Sequence, residues 1–296
     1  MEIRVLRYFL MVAREENITK AAELLHITQP TLSRQLMQLE DELGTKLFRR
    51  SNHSIRLIED GMLLKRRAQE LVQLADKTEM EFRRGEEELS GNIAIGSGES
   101  NSVRELADII GGFQKKHPLV QYDLYTANAD DIKDRLDKGL LDAGLLTEPV
   151  DISKYNFIRL KRKERWGVLV RADSELAEKD SIRPQDLLDI PVFLAQRPLV
   201  KNELEGWFGE YYDQIHIAGT YNLINNVAVM VEKKIGVAFC FQLQNYYDGL
   251  RYIPLSPQVE TGAVLVWKKA QIVNRTMYQF INFIREYQEK KEDSHA

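Results

Sequence analysis

Between residues 1 and 89 the apolar positions recur at helical spacing almost throughout. Val5, Phe9 and Val12, with Leu6 and Ala13 beside them, form one stripe, as expected where every third or fourth residue shares a face. Asn17 to Thr19 offer caps for a short second helix, Thr19 to about Leu25, carrying Ala21, Ala22, Leu24 and Leu25. His26-Ile27-Thr28 makes a tight joint. A third helix follows with Pro30 in its first turn, where the missing N–H costs little. On it Leu32, Leu36, Leu39 and Leu43 are spaced 4, 3 and 4 and share one face. Pro30, Arg34, Met37, Gln38 and Asp41 lie opposite, flanked by Thr31 and Ser33, and Gly44 ends the helix. Two short helices with a three-residue joint, the second polar on its outward N-terminal half, predict a helix-turn-helix.

Lys46-Leu47-Phe48-Arg49-Arg50, a polar turn at Ser51-Asn52-His53-Ser54, and Ile55-Arg56-Leu57-Ile58 read as a small hairpin, a wing. Lys46, Arg49, Arg50 and Arg56 make it locally basic, with no acid until Glu59. From Glu59 to Leu89 no proline occurs, and Leu64, Ala68, Leu71, Ala75, Thr78, Phe82, Gly85 and Leu89 alternate by 4 and 3. That heptad seam asks for a partner helix, most simply from a second copy, although its small residues weaken it as a free-standing zipper.

Ser90-Gly91-Asn92 breaks the pattern, and strand–helix alternation begins. Ile93 to Gly96 reads as a strand, Ser102 to Lys116 as a helix opened by a Ser102/Glu105 capping box, and Val120 to Tyr125 as a strand. Asn128 to Lys138 is a helix and Ala143 to Leu146 a strand. The second half repeats the layout: strand Pro191–Leu194, helix Val200–Tyr212, strand Ile215–Ala218, helix Asn222–Lys234, strand Val237–Cys240. The fold class is therefore α/β: an N-terminal winged helix-turn-helix, a long linker helix, and a C-terminal domain of two α/β lobes. Strand ends and helix N-termini should face the cleft between the lobes.

Composition narrows the function. The 296 residues are 44% hydrophobic and 29% charged, ordinary for a globular chain. The net charge of −4 exerts no global pull on nucleic acid, so such a role must rest on a local patch. The single cysteine, Cys240, cannot pair internally, which fits a reducing compartment. No apolar run reaches the roughly 18 residues of a membrane span. The opening stretch, broken by Arg4, Arg7 and Arg14, lacks the pattern of a secretory leader. A cytoplasmic location is expected. Gly96-Ser97-Gly98 is neither a dinucleotide fingerprint nor a nucleophile elbow, and the five histidines have no metal spacing. Trp166, Trp207, Trp267 and Cys240 read as core. No enzyme, cofactor or metal is expected.

Taken together, the stretch LRYFLMVAREENITKAAELLHITQPTLSRQLMQLEDELGTKLFRR, and above all AAELLHITQPTLSRQLMQLEDELGTKLF, resembles the LysR-type transcriptional regulators. The layout of the rest is similar too. The resemblance implies a DNA-binding domain over 1–58, a dimerisation helix over 59–89, and an effector-binding domain over 90–296. Lobe I would comprise 91–161 plus 268–296, and lobe II 162–267. It also implies a homodimer through the linker, often a tetramer, a double-stranded, pseudo-palindromic operator, and a small-molecule effector in the cleft. RNA polymerase stands as a further candidate partner, and no membrane is implied. The sequence departs from the family at Leu57-Ile58-Glu59-Asp60-Gly61, where a threonine cap is usual and Asp60 is the substitute, at His53 in the wing tip, and at Lys233-Lys234-Ile235-Gly236.

Candidate DNA contacts are Thr28, Gln29, Pro30, Thr31, Ser33, Arg34, Gln38, Arg49, Arg50 and Arg56. Arg34 can bind guanine bidentately, its bland alternatives being a phosphate contact or a salt bridge with Asp41. Gln29, Thr31 and Ser33 can donate to phosphates or simply cap, while Pro30 can touch a thymine methyl or only set backbone geometry. Arg49 and Arg50 suit phosphate, and Arg56 is either that or a solvated strand residue. Candidate effector contacts are Ser97, Gly98, Glu99, Ser100, Asn101, Thr126, Asn128 and Thr147 from lobe I, with Gln196, Arg197, Tyr221 and Asn222 from lobe II. The hydroxyls and free N–H groups after the first strand suit an anion, with Arg197 as its partner or else a surface arginine. Glu99 either faces the cleft, repelling a carboxylate, or faces solvent. Asn225 and Asn226 read as helix surface. Two other classes stay open: an α/β solute-binding or catalytic protein with a helical appendage, and a constitutive DNA binder with a structural cleft.

Overall fold

A computed structural model describes residues 1–50, 55–82, 89–243, 247–269 and 274–293. The chain divides into two compact units, Met1–Arg84 and Gly85–Ala296. The first runs α1 (Ile3–Glu15), α2 (Ile18–Leu24), α3 (Gln29–Leu43), β1 (Phe48–Arg50), β2 (Ile55–Leu57) and α4 (Glu59–Phe82). Local signals set these limits. Asn17 accepts from Lys20 N at 3.0 Å, Thr28 caps α3 from the Thr31 N–H, and Gly44 closes α3 in the left-handed region at φ 68°. Phe9, Val12, Ala21, Leu32, Leu36 and Leu39 form the core, joined by Leu47, Phe48 and Ile55 of the hairpin.

Three expectations change here. Leu43 is 41% exposed, and Glu40 takes the buried place on the core side of α3. Its carboxylate accepts from Leu47 N at 2.9 Å and Lys46 Nζ at 3.0 Å, tying the end of α3 to the wing. Asp60 is no cap, because α4 already begins at Glu59; its carboxylate accepts the Thr45 hydroxyl at 2.6 Å. The seam along α4 also divides: Ala68 is buried and Leu64 partly so against the head, where Val72 from outside the seam joins them, whereas Leu71 of the seam is 38% exposed, as are its off-seam neighbours Leu63 and Leu74 at 52% and 39%. The wing tip 51–54, the Phe82 side chain and Gly85 lie outside what is described, and Leu89 packs in the second unit.

In chain order the second unit runs β3 (Gly91–Ser97), α5 (Ser102–Lys116), β4 (Val120–Thr126), α6 (Ala129–Asp137), β5 (Ala143–Thr147), β6 (Tyr155–Arg159) and β7 (Glu164–Arg171). Then follow β8 (Val192–Ala195), α7 (Pro198–Phe208), β9 (Ile217–Tyr221), α8 (Ile224–Glu232), β10 (Val237–Phe241), β11 (Leu250–Pro254), β12 (Glu260–Thr261), β13 (Ala263–Lys268) and α9 (Arg275–Asp293). The sheet orders are β4-β3-β5-β13-β6 and β11-β7-β10-β8-β9, with β12 on β7. Both lobes thus hold one motif, β4-β3-β5 matching β9-β8-β10 with parallel pairing throughout. The crevice lies at the carboxyl ends of these strands.

The third strand of lobe II begins at Ile217, two residues later than expected. The chain also returns to lobe I earlier than residue 268, because β13 pairs with β5 and β6 in the first sheet. The turning point is Gly262, between β12 on the second sheet and β13 on the first. The helices α6 and α8 end alike, Gly139 and Lys234 both standing in the left-handed region at φ 73° and 65°.

Candidate DNA-reading helix and ligand cleft

The buried leucine face of α3 turns its other face to solvent. Thr28, Gln29, Pro30, Thr31, Arg34 and Gln38 are exposed there, and Ser33 is half-buried. The Thr28 and Thr31 hydroxyls lie 2.8 Å apart, and Gln29 Nε2 donates to Ser33 Oγ at 2.8 Å. Among the described residues Arg34 has no ion pair, so the bland pairing with Asp41 is not formed. Arg49 and Arg56 stand directly opposite each other in the hairpin register, both exposed. Two like charges so placed destabilise a hairpin unless an anion joins them. Glu16 Oε2 reaches only to 3.9 Å from Arg56 Nε. Arg50 is the last residue of β1, opposite Ile55.

In the second unit a cleft enclosing a cavity of about 80 Å³ lies between the lobes. Gly98, Glu99, Asn128, Thr147, Arg197, Tyr221 and Asn222 line it, whereas Ser97, Ser100, Asn101, Thr126 and Gln196 are not on its wall. Several lining polar groups are already engaged. Asn128 Oδ1 caps α6, accepting from Asp130 N at 2.9 Å and Asp131 N at 3.0 Å. Tyr221 donates its hydroxyl to the Phe239 carbonyl, and burial keeps its pKa well above the phenol range. The apolar wall, absent from the sequence reading, is Leu146, Trp166, Val200, Ile224, Cys240 and Phe241. Trp166 and Phe241 lie 4.3 Å apart between ring centres. These residues sit on strands whose pattern says only that they are buried. Trp207 and Trp267 are buried as well, and burial pushes the Cys240 thiol up to about 12, leaving it an unreactive wall residue.

The expected Ser102/Glu105 capping box does not form. Instead Glu164, fully buried at the start of β7, accepts from Asn101 N at 3.0 Å, Ser102 N at 2.7 Å and Ser102 Oγ at 2.5 Å. A side chain from the crossover thus occupies the N-terminus of α5, where the sequence suggested an anion site. The reciprocal contact comes from lobe I. Glu99 Oε2 accepts from Ile224 N at 2.5 Å, and Oε1 accepts from Asn225 Nδ2 at 2.9 Å. Glu99 therefore faces the cleft and caps α8, and Asn225, taken as plain helix surface, holds it. Burial raises the Glu99 pKa, partly offset by the Ile224 N–H. Arg197 is no surface arginine: it donates to the Thr147 and Pro149 carbonyls at 3.3 and 2.8 Å, and burial lowers its pKa against the opposing pull of Asp130.

Among the described residues no group of three His, Cys, Asp or Glu could hold a metal, and no helix is long and apolar enough to cross a membrane.

Comparison with known proteins fits both halves. The family described as "Bacterial regulatory helix-turn-helix protein, lysR family" matches residues 3–62, and "LysR substrate binding domain" matches residues 86–289. The chain is 31% identical to the HTH-type transcriptional regulator AlsR of Bacillus subtilis over 86% of its length and 81% of that protein. It is 27% identical to the Hca operon transcriptional activator HcaR of Escherichia coli over 97% of its length and 98% of that protein. The crystal structure of CbnR, a LysR family transcriptional regulator, superposes with a TM-score of 0.76 at 19% identity, covering 97% of this chain and 99% of that one. CbnR has also been solved with its target DNA.

Proposed function

This chain belongs to the LysR family of DNA-binding transcriptional regulators, and we propose from it a division of labour between the two units. The first reads duplex DNA through α3. Arg34 takes a guanine edge bidentately, Gln38 and Pro30 meet neighbouring bases, and Thr28, Gln29, Thr31 and Ser33 hold the adjoining backbone. Arg49, Arg50 and Arg56 grip phosphate. The observation that carries this reading is Arg34, exposed on the face opposite the buried leucines and without an ion pair among the described residues. The outward Leu63, Leu71 and Leu74 of α4 support pairing with a second copy, which makes the operator pseudo-palindromic. Two such dimers form the tetramer, RNA polymerase is the downstream partner, and the site of action is the cytoplasm.

The second unit binds a small-molecule effector in the cleft. The effector shifts the lobes about the crossovers near residues 160–164 and 262, and so changes DNA bending by differential affinity for two arrangements. Fluorescence anisotropy on a specific and a scrambled duplex tests the head. Arg34→Ala should lose about 1–3 kcal/mol on the specific duplex and relax its preference, while Arg49→Ala should weaken both duplexes alike. Equal effects of the two substitutions would refute the assignment. A metabolite that raises the unfolding midpoint of the second unit, and in the same concentration range alters DNA affinity, identifies the effector.

A further inference from the structure

β6 is the last strand of the first sheet, and its outer edge is open. Antiparallel pairing turns the backbone groups of alternate residues toward and away from the neighbouring strand. The Leu160 N–H donates to the Ala263 carbonyl at 2.9 Å. Ile158 and Asn156 therefore also bond toward β13, and Tyr155, Phe157 and Arg159 turn their backbone groups away from it. The Tyr155 N–H closes a turn on the Ile152 carbonyl, and the Arg159 carbonyl accepts Gln288 Nε2 at 2.8 Å. Between them the Tyr155 carbonyl, both backbone groups of Phe157 and the Arg159 N–H have no partner among the described residues. Such a row of open donors and acceptors is a template for one more strand.

A groove of about 360 Å³ follows this edge, and its two sides differ in chemistry. Toward α9 it is lined by Ile158 and Trp267 together with Lys269 and Arg285, both exposed. On the other side Phe157 is 42% exposed, with the Arg159 guanidinium 5.0 Å from its ring centre. No carboxylate lines the groove. Glu148 lies 3.2 Å from Arg159, and Lys269 Nζ donates to the Ser153 carbonyl at 2.8 Å. Exposed Lys154 before the strand, and Lys161, Arg162 and Lys163 after it, extend the positive charge in a chain whose net charge is −4.

Lysines beside a free edge can serve only to keep copies from pairing. A guarded edge, however, has no need of an exposed phenylalanine beside a groove. We propose that the edge of β6 is a docking site for an extended acidic segment of another protein, which adds to the sheet as its sixth strand. Alternate residues of an added strand fall on opposite faces. Carboxylates on the α9 side meet Lys269 and Arg285, and apolar side chains on the other side lie against Phe157. The occupant is therefore a peptide in which acidic and β-branched residues alternate. Duplex DNA shares the negative charge but has no strand to pair with the open backbone groups. The groove shares no residue with α3 or with the cleft between the lobes, so the inference stands independently of the DNA and effector readings.

Fluorescence anisotropy of a labelled peptide of alternating Glu and Val, titrated with the full chain at one ionic strength, tests this. The same peptide with Gln or Lys in place of Glu is the control. We expect saturable binding of the Glu peptide, binding of the Gln peptide weaker by about tenfold, and none of the Lys peptide. Arg285→Glu, on the exposed surface of α9, should weaken the Glu peptide by about tenfold. Phe157→Pro removes an outward N–H while leaving the inward bonds to β13 in place, so it should abolish binding with the unfolding midpoint little changed. Absence of saturable binding, equal binding of the Glu and Gln peptides, or full binding by a folded Phe157→Pro would overturn the proposal. So would displacement of the peptide by a scrambled DNA duplex, which would make the edge a phosphate surface. Should Phe157→Pro not fold, Arg285→Glu decides, and an unchanged affinity there overturns the proposal equally.

Discussion

Glu164 is the fixed counterpart of Glu99, and its removal gives a worked test of how the two lobes are joined. The carboxylate is fully buried and accepts three hydrogen bonds, from Asn101 N, Ser102 N and Ser102 Oγ. Glu164→Ala leaves two backbone N–H groups and a hydroxyl without acceptors at the buried start of α5. At about 1–3 kcal/mol per unsatisfied buried donor, with partial relaxation of the hydroxyl, the loss should be about 3–5 kcal/mol. Glu164→Gln keeps one acceptor oxygen but turns an amide NH₂ toward an N–H, and the Ser102 hydroxyl can reverse to accept. About 2 kcal/mol is expected. All three tryptophans, Trp166, Trp207 and Trp267, lie in the second unit, so fluorescence-detected urea unfolding reports that unit. Ser102→Ala completes a double-mutant cycle, in which the combined loss should fall short of the sum of the single losses. A loss below about 1 kcal/mol for Glu164→Ala, or simple additivity with Ser102→Ala, would refute the reasoning.

Further outcomes follow from the same physics. The Glu40 carboxyl is opposed by burial but held below its ordinary pKa by the Leu47 N–H and the Lys46 ammonium. Its contribution is therefore present above the unfolded value and lost as pH falls below about 4, so Glu40→Gln should flatten the acid limb of the first unit's stability profile, read by circular dichroism. Lys234 sits in a left-handed conformation that its glycine counterpart Gly139 adopts freely. Lys234→Gly should stabilise the second unit by about 1 kcal/mol in urea titrations. Arg49→Ala and Arg56→Ala should each reduce the slope of log affinity against log salt by about 1 in DNA titrations, and an unchanged slope would remove them from the phosphate grip.

The head is largely legible in sequence because its signals are local. Asn17, Thr28 and Gly44 cap where their residue types say they should, and the leucines at 32, 36 and 39 are buried. The exchange of Leu43 for Glu40 is not legible, because it depends on where the wing's backbone returns to meet α3. The cleft divides in the same manner. Loops after strand ends announce Gly98, Thr147 and Arg197, but Trp166, Cys240 and Phe241 look like any buried strand residue. Glu99 meets Ile224 across 125 positions of chain, and Glu164 meets Ser102 across 62. No local pattern encodes such pairs. A first-turn Ser-x-x-Glu at 102–105 even suggests a different cap, which loses to a fully buried carboxyl group that accepts from Asn101 N, Ser102 N and Ser102 Oγ at once.

The most direct test of the account is selection of bound duplexes from a random DNA library at one stated salt concentration, run with the wild type and with Arg34→Ala. The account predicts a pseudo-palindromic motif for the wild type whose information is lost at one position per half-site when Arg34 is removed. No enriched motif, or the same motif from both proteins, would contradict it.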